Sequence, residues 1–283
     1  MSPFTWSVRL HLPDGWRAVS NGLAEPGGFE SVAAPTVGDI ALAASPHVAV
    51  DDVDGLARIV QVGQIRETSP LAASVGALVR TALESLTEAY GALPTAEPVS
   101  VVLTDREGYA YSRLPAIFLA DAGSPDATRD LHTVLHELGH LWWNVAPSDG
   151  TDDWLNEALA EYSALWLSRE LLTASFAEHL LDEYRALAKV TASPPVADTS
   201  PEQEPSFYAN KHARGALLFQ HVEDALGRER TWALLARWHQ RWSSLRTAST
   251  ESLLAALGQE DRGVMEQVKD CISTPSWSGT WAR

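Results

Sequence analysis

The sequence predicts an α+β fold, in which a short N-terminal β-rich region is followed by a mainly helical region. A change of period along the chain leads to this prediction. The segment "FTWSVRLHL" (residues 4–12) alternates polar and apolar residues, as a strand with one buried face does, whereas from about Leu71 the apolar residues recur at helical spacing. The 283 residues suffice for one large domain, or for one medium domain with a smaller partner. We predict a division into residues 1–66 and residues 67–283.

Residues 3–62 are predicted to form short strands separated by turns. The turn sequences are "PDG" (residues 13–15), "NG" (residues 21–22) and "EPGG" (residues 25–28), whose residue types favour tight turns. The segment "LARIVQVGQI" (residues 56–65) continues the strand pattern.

The segment "LAASVGALVRTALESLTEAYGAL" (residues 71–93) is predicted to be a helix, because its apolar residues follow helical spacing and Gly91 and Pro94 provide a stop signal. Two compact apolar runs after it, "VSVVLTD" (residues 99–105) and "AIFLA" (residues 116–120), have the length of strands.

After Ser124 the chain is predicted to be almost entirely helical, with one interruption. The segment "TASPPVADTSPEQEPS" (residues 191–206) is rich in Pro, Ser and acidic residues and is predicted to be a loop. A solvated connector is the favoured interpretation, and a mobile or functional loop is the alternative.

Charge and composition exclude several classes of function. The formal net charge of −16 argues against nucleic acid or an anionic membrane surface as the main partner, since both attract clustered Lys and Arg. Cys271 is the only cysteine, so no intrachain disulfide can form. No signal-peptide pattern and no apolar run of membrane-spanning length is present, so we expect a soluble, cytoplasmic protein or the soluble part of a longer one.

The segment "HELGH" (residues 136–140) has the spacing of a zinc site. On a helix, His136 and His140 would project from one face, so both could bind one Zn²⁺ while Glu137 points at the metal-bound water. The surrounding "DATRDLHTVLHELGHLWWNV" (residues 126–145) reads as a helix with a plausible start and an apolar back face. A pair of core histidines without a metal is the alternative.

A catalytic zinc needs a third protein ligand, and the next helical segment supplies candidates. In "DDWLNEALAEYSALWL" (residues 152–167) the carboxylates of interest are Glu157 and Glu161, and 16 residues separate His140 from Glu157, enough to bring an adjacent helix alongside. HELGH followed by "WLNEALAEY" resembles the gluzincin metallopeptidases, and specifically the aminopeptidase N family.

The resemblance implies a thermolysin-like catalytic domain over residues 67–283, with Zn²⁺ held by His136, His140 and Glu157. It also covers "RGALLFQHVEDALG" (residues 214–227), similar to a later helix of the family, and "VRLHLPDGWRAVSNG" within residues 1–66, similar to the end of the family's β-rich saddle domain. Because the chain stops about where that catalytic domain stops, it is interpreted as a truncated or minimal member.

Two further side chains lie near the proposed ligands. Glu161, one helical turn after Glu157, could accept the free N–H of a zinc-bound histidine, or it could be an exposed helix acid. His132 lies one turn before His136, and a packing or surface role is favoured for it.

The chain departs from the family at the position of the oxyanion donor. The resemblance implies a Tyr three residues before Gly215, but His212 stands there, and Tyr208 lies one turn earlier. Either side chain could donate a hydrogen bond to the oxyanion. We favour His212 as the positional match and keep Tyr208 as the alternative, and a third possibility is that neither contacts substrate.

A second departure concerns the segment "GYAYS" (residues 108–112). In the family, a Glu in the matching segment anchors the free α-amine of the substrate, and Tyr111 occupies its position here. A neutral phenol cannot serve as counter-ion to an ammonium, so specificity for a free N-terminus is not expected.

The predicted function is metal-assisted hydrolysis of a peptide or peptide-like substrate, with Glu137 as general base. One rival is a zinc hydrolase that opens another electrophile, such as an ester or an epoxide. The other is a non-catalytic, zinc-stabilised binding domain. Glu137 favours an enzyme, because a purely structural zinc site has no use for a carboxylate beside a metal-bound water.

Overall fold

The computed structural model describes residues 6–25, 27–30, 40–63, 70–93, 95, 97–106, 108, 110–120, 126–148, 150–190, 208–244 and 246–273. Strands and helices are both present, so the prediction of an α+β fold is confirmed. The chain divides into two compact units. The first unit comprises Met1–Leu83 and Leu93–Leu141, and the second comprises Glu84–Ala92 and Trp142–Arg283.

The first unit contains the described strands, arranged in three sheets. The largest has five strands in the order β6-β7-β8-β10-β9, and the smaller two have the orders β1-β4-β3 and β2-β5. The strands are β1 (Ser7–Arg9), β2 (Arg17–Ser20), β3 (Leu23–Glu25), β4 (Gly28–Glu30), β5 (Leu42–Ser45), β6 (Val48–Val53), β7 (Ala57–Val62), β8 (Val99–Thr104), β9 (Tyr111–Arg113) and β10 (Ala116–Ala120).

The two apolar runs predicted as strands form the interior of the five-stranded sheet. Strands β7, β8 and β10 are parallel neighbours, and β6 and β9 close the two edges in antiparallel orientation. Strands β8 and β10 are buried along nearly their whole length, as expected for interior parallel strands built from continuous apolar residues. Phe118 on β10 packs with Val102 on β8 and Val60 on β7 in one core cluster.

The helix predicted from Leu71 is α1 (Pro70–Tyr90), which begins in the first unit and has its last residues in the second. Proline suits the start of a helix, because the first N–H groups of a helix have no internal partner. The helix ends at Gly91, which has a φ of +96° and donates its N–H to the Thr87 carbonyl.

The HELGH segment lies at the C-terminal end of helix α2 (Ala127–Gly139). The Asp126 carboxylate caps the start of this helix by accepting the N–H of Arg129 at 3.0 Å. The helix stops at Gly139, so it is shorter than the predicted segment that ran to residue 145. Beyond it, the N–H groups of Val145 and Ala146 donate to the Asn156 side-chain oxygen instead of continuing a helical ladder.

The second unit is helical where it is described. It contains a 3₁₀ turn (Thr151–Asp153), α3 (Trp154–Leu167), a π-helical turn (Ser168–Leu172), α4 (Ala174–Val190), a second π-helical turn (Ala209–Arg214), α5 (Gly215–Leu226), α6 (Arg228–Trp242), α7 (Thr250–Glu260) and α8 (Arg262–Ser273). The predicted loop at residues 191–206 lies outside the described residues. None of the helices described is long and apolar enough to cross a membrane.

Helix α3 is the core element of the second unit. Every residue of α3 except Glu157 is buried. Its polar side chains are accordingly paired: Ser163 accepts the indole N–H of Trp143 at 2.8 Å and donates to the Leu159 carbonyl. The Tyr90 hydroxyl lies 3.2 Å from the same Ser163 oxygen.

Helices α3 and α5 approach so closely that only glycine fits at their contact. A Cβ atom placed on Gly215 would lie 2.3 Å from the Ala158 Cβ, far inside van der Waals contact. This contact joins the residue after Glu157 to the first residue after the second π-helical turn.

We expect Gly215→Ala to destabilise the fold by about 1–3 kcal/mol, because the added methyl group overpacks the contact with Ala158. The measurement is the thermal unfolding midpoint. Gly258→Ala in α7 is the control, since a methyl group there would meet its nearest atom at 3.7 Å. Adding Ala158→Gly to Gly215→Ala should recover part of the loss. Equal stability of Gly215→Ala and wild type would contradict the close contact.

Candidate active site

The two histidines of HELGH converge at the end of α2. Their Nε2 atoms lie 3.1 Å apart, and the ring planes are nearly perpendicular at 87°. Two imidazole nitrogens bound to one tetrahedral zinc, each about 2.0–2.1 Å from it, would lie about 3.3 Å apart. The two ring nitrogens are therefore spaced as ligands of one metal ion would be.

Glu137, between these histidines in sequence, is buried, and its carboxylate has a close polar neighbour. The Ser112 hydroxyl lies 2.7 Å from the Glu137 Oε2 and 2.9 Å from the Glu137 backbone carbonyl oxygen. Sequence reasoning missed Ser112. The alternation of side chains along a strand could have indicated it, because Ser112 lies on the opposite face of β9 from Tyr111 and Arg113.

Tyr111 is partly buried and packs against the core of the sheet. Its ring stacks on Phe118 with centroids 5.3 Å apart, and it lies against the core cluster that contains Val102. The guanidinium groups of Arg106 and Arg113 lie 5.0 Å and 5.4 Å from the centroid of the Tyr111 ring. Within "GYAYS", therefore, Ser112 rather than Tyr111 reaches Glu137. Strand β9 contains no acidic residue.

His132, one turn before His136, is buried. The burial of His132 agrees with the expected packing role and excludes the expected surface role.

In the second unit, His212 lies between the two carboxylates of α3. Its Nε2 is 3.5 Å from a Glu157 carboxylate oxygen, and its Nδ1 is 3.4 Å from a Glu161 carboxylate oxygen. The π-helical turn Ala209–Arg214 supplies His212, and the N–H of Gly215 bonds back to the Asn210 carbonyl, five residues earlier. Single π turns of this kind recur at functional sites, because they change the direction of the side chains that follow.

Glu161 is buried, so its interpretation as an exposed helix acid is wrong. Its side chain is 4% exposed, compared with 23% for Glu157. The hydroxyl of the fully buried Tyr184 donates a hydrogen bond to Glu161. Burial, followed by the charge of Glu161, raises the pKa of Tyr184 well above its usual value, so the phenol keeps its proton and remains a donor.

Tyr208 is brought to His212 by the same turn. The two rings stack with centroids 4.7 Å apart and an angle of 21° between their planes. Tyr208 is 42% exposed, whereas His212 is largely enclosed. The two candidate oxyanion donors thus lie side by side, and His212 lies close to both carboxylates of α3.

A buried ion pair connects the π-helical turn to the start of α3. The Lys211 ammonium lies 2.7 Å from an Asp153 carboxylate oxygen, and its side chain is only 2% exposed. The other Asp153 oxygen accepts the Asn156 amide N–H at 3.0 Å, and Asn156 in turn binds the backbone of Val145 and Ala146. Sequence reasoning missed this chain of contacts, which fixes the backbone beside Glu157.

Comparison with known proteins shows the fold. No model of a known protein family matches the chain, and no curated protein sequence matches it. Among solved structures, an M1 zinc metallopeptidase from Deinococcus radiodurans has a TM-score of 0.77 and 20% sequence identity, over 98% of this chain and 65% of that one.

Two other solved structures are also similar to this chain in fold. A mutant of the Deinococcus enzyme bound to a Tyr-Ser-Ala substrate matches with a TM-score of 0.76 and 20% identity, over 98% of this chain and 65% of that chain. Native yeast LTA4 hydrolase matches with a TM-score of 0.71 and 14% identity, over 95% of this chain and 45% of that one. The chain thus spans about two thirds, or less, of the length of these proteins, and it has the fold that the M1 zinc metallopeptidases and LTA4 hydrolase share.

Proposed function

We propose that this chain is a zinc metallopeptidase that hydrolyses peptide bonds. The observation that carries the proposal is the end of α2, where two imidazole nitrogens converge at a metal-like spacing next to a buried carboxylate. The shared fold with M1 zinc metallopeptidases supports it. The Tyr-Ser-Ala substrate of one such enzyme makes a peptide the substrate class to test first.

The zinc ligands we propose are His136, His140 and Glu157. The nitrogens of the two histidines suit Zn²⁺, and a carboxylate oxygen completes a common catalytic set of three protein ligands. Glu157 is the residue of α3 that remains partly exposed, whereas the buried Glu161 accepts a hydrogen bond from Tyr184. Motif spacing and accessibility therefore both favour Glu157 over Glu161 as the third ligand.

Glu137 is proposed as the general base. When bound, zinc lowers the pKa of a coordinated water and polarises the scissile carbonyl. The Glu137 carboxylate would take the proton of the attacking water and deliver it to the leaving amine. A structural zinc site is closed by four protein ligands and needs no such group, so the buried Glu137 favours an enzyme over a zinc-stabilised binding domain.

His212 is proposed as the oxyanion donor, with Tyr208 as the alternative. If the His212 Nδ1 donates to Glu161, its Nε2 can donate to substrate only in the doubly protonated ring. The Tyr208 hydroxyl can donate without carrying a charge.

The site is further proposed to lack an anchor for a free α-amine. Strand β9 carries no carboxylate, and Tyr111, which stands at the position of the family's anchoring Glu, packs against Phe118. Peptides with a blocked N-terminus should therefore be accepted.

We also propose that residues 67–283 form a thermolysin-like catalytic domain and that residues 1–66 correspond to the end of the family's saddle domain. All the described helices begin after residue 66, which supports this division, whereas β6 and β7, which precede residue 66, share one sheet with β8, β10 and β9.

Glu137→Gln should retain zinc and the fold but lose nearly all turnover, because the amide cannot accept the proton of the attacking water. Steady-state hydrolysis of a peptide, together with zinc content, is the measurement. Glu84→Gln on the exposed face of α1 removes the same charge and should keep full activity. Near-normal hydrolysis by Glu137→Gln would refute the general-base assignment.

Glu157→Ala should weaken zinc binding strongly, whereas Glu161→Ala should weaken it only about 10- to 100-fold by loosening the groups around the ligands. Zinc titration against a competing chelator measures both. Glu161→Gln serves as the second variant, because it keeps the volume and an acceptor for Tyr184 in the buried position. A larger loss of zinc affinity in Glu161→Ala than in Glu157→Ala would exchange the two roles.

His212→Phe should lower kcat by about 10²–10³-fold with little change in KM, as expected for a donor that acts in the transition state. Phenylalanine keeps the aromatic contact with Tyr208, so the loss would report the imidazole itself. Tyr208→Phe, which removes only a hydroxyl, is the paired variant. A full loss in Tyr208→Phe beside an active His212→Phe would assign the role to Tyr208.

A further inference from the structure

Ser112 is held by the sheet at the point where its hydroxyl meets Glu137. It is the middle residue of β9 and pairs with Ile117 of β10 in an antiparallel register. The Ser112 side chain is half-buried, and its oxygen lies 2.7 Å from the Glu137 carboxylate. An edge strand thus supplies a polar contact to a carboxylate carried by a helix.

We propose that Ser112 is a positioning residue, which holds one carboxylate oxygen of Glu137 so that the other is presented to the reacting water. This inference rests on the proposed function, in which Glu137 is the general base. A glutamate side chain has three rotatable bonds, and a fixed hydrogen bond to one oxygen removes much of that freedom. Catalytic groups need such support, because a small misplacement costs much of the rate.

A serine hydroxyl has one hydrogen, and two acceptors lie within reach of Ser112, so a second, structural role competes with the positioning role. The Glu137 carbonyl belongs to the last turn of α2, where carbonyl groups lack helical partners. The N–H of His140 bonds to His136, and that of Leu141 bonds to Leu138, so neither of these bonds goes to the Glu137 carbonyl. Ser112, at 2.9 Å from this carbonyl, could simply cap the helix end.

The carboxylate is the acceptor we assign to the Ser112 hydrogen. The carboxylate oxygen is the nearer of the two acceptors, at 2.7 Å compared with 2.9 Å for the carbonyl. The general base proposed above has to be ionised to accept a proton, and a hydrogen bond to an ionised group is stronger than one to a neutral carbonyl. The bond should therefore act on the Glu137 side chain rather than on the helix backbone.

The kinetic test compares Ser112→Ala and Ser112→Thr with wild type in the zinc-loaded protein. Ser112→Ala should lower kcat roughly 10- to 100-fold, with KM and zinc content unchanged, as expected for a lost hydrogen bond to a charged group. Ser112→Thr retains the hydroxyl and should recover most of the rate. Ser100→Ala, at a similarly half-buried position on β8, is the matched control and should be fully active. An unchanged kcat in Ser112→Ala would overturn the proposal.

A stability test separates the two acceptors without using activity. The loss of unfolding temperature caused by Ser112→Ala is measured in metal-free protein, once in wild type and once with Glu137→Ala. If the hydroxyl bonds the carboxylate, the loss should be smaller when Glu137→Ala is present. An equal loss in both backgrounds would assign Ser112 to the carbonyl and overturn the proposal. If wild type cleaves no peptide, the proposed function fails while this stability result still decides the role of Ser112.

Discussion

The burial of helix α3 is the constraint on which the second unit depends. A helix enclosed on all sides has to pair each of its polar side chains, since an unpaired buried polar group costs about 1–3 kcal/mol. Asn156 pairs with the backbone of Val145 and Ala146, and Glu161 pairs with Tyr184 and His212. Glu157 alone among the residues of α3 keeps partial exposure, which leaves a carboxylate accessible at the surface of a rigid core.

Two contacts with α3, on either side of His212 in sequence, also determine where His212 can lie. Gly215 allows α5 to contact Ala158, and the Lys211–Asp153 ion pair connects the preceding π-helical turn to the start of α3. His212, between these two attachments, has little room to move away from Glu157 and Glu161. The tight packing of two helices thus places an imidazole beside two carboxylates.

The sequence predicts the elements whose pattern is local, and it misses the contacts between distant residues. The α+β class, the helix from residue 70, the interior strands β8 and β10, and the helix that carries HELGH all follow from periodicity and stop signals. The partners Ser112 and Tyr184 lie 25 and 23 residues from the acids they bind, and Asn156 lies 11 residues from Val145, so no local pattern indicates these contacts. The burial of Glu161 likewise depends on packing that the spacing of acids does not encode.

The activity proposed for this chain is zinc-dependent hydrolysis of peptide bonds without an anchor for a free amine. Its most direct test is kcat/KM for one peptide and for its N-acetylated twin, each measured with zinc-loaded and with metal-stripped protein. We expect cleavage of both peptides only in the presence of zinc, with a ratio of the two kcat/KM values that is near one or favours the acetylated form. Absence of cleavage with zinc would contradict the peptidase, and a preference of about a hundredfold for the free amine, about 2.7 kcal/mol, would contradict the missing anchor.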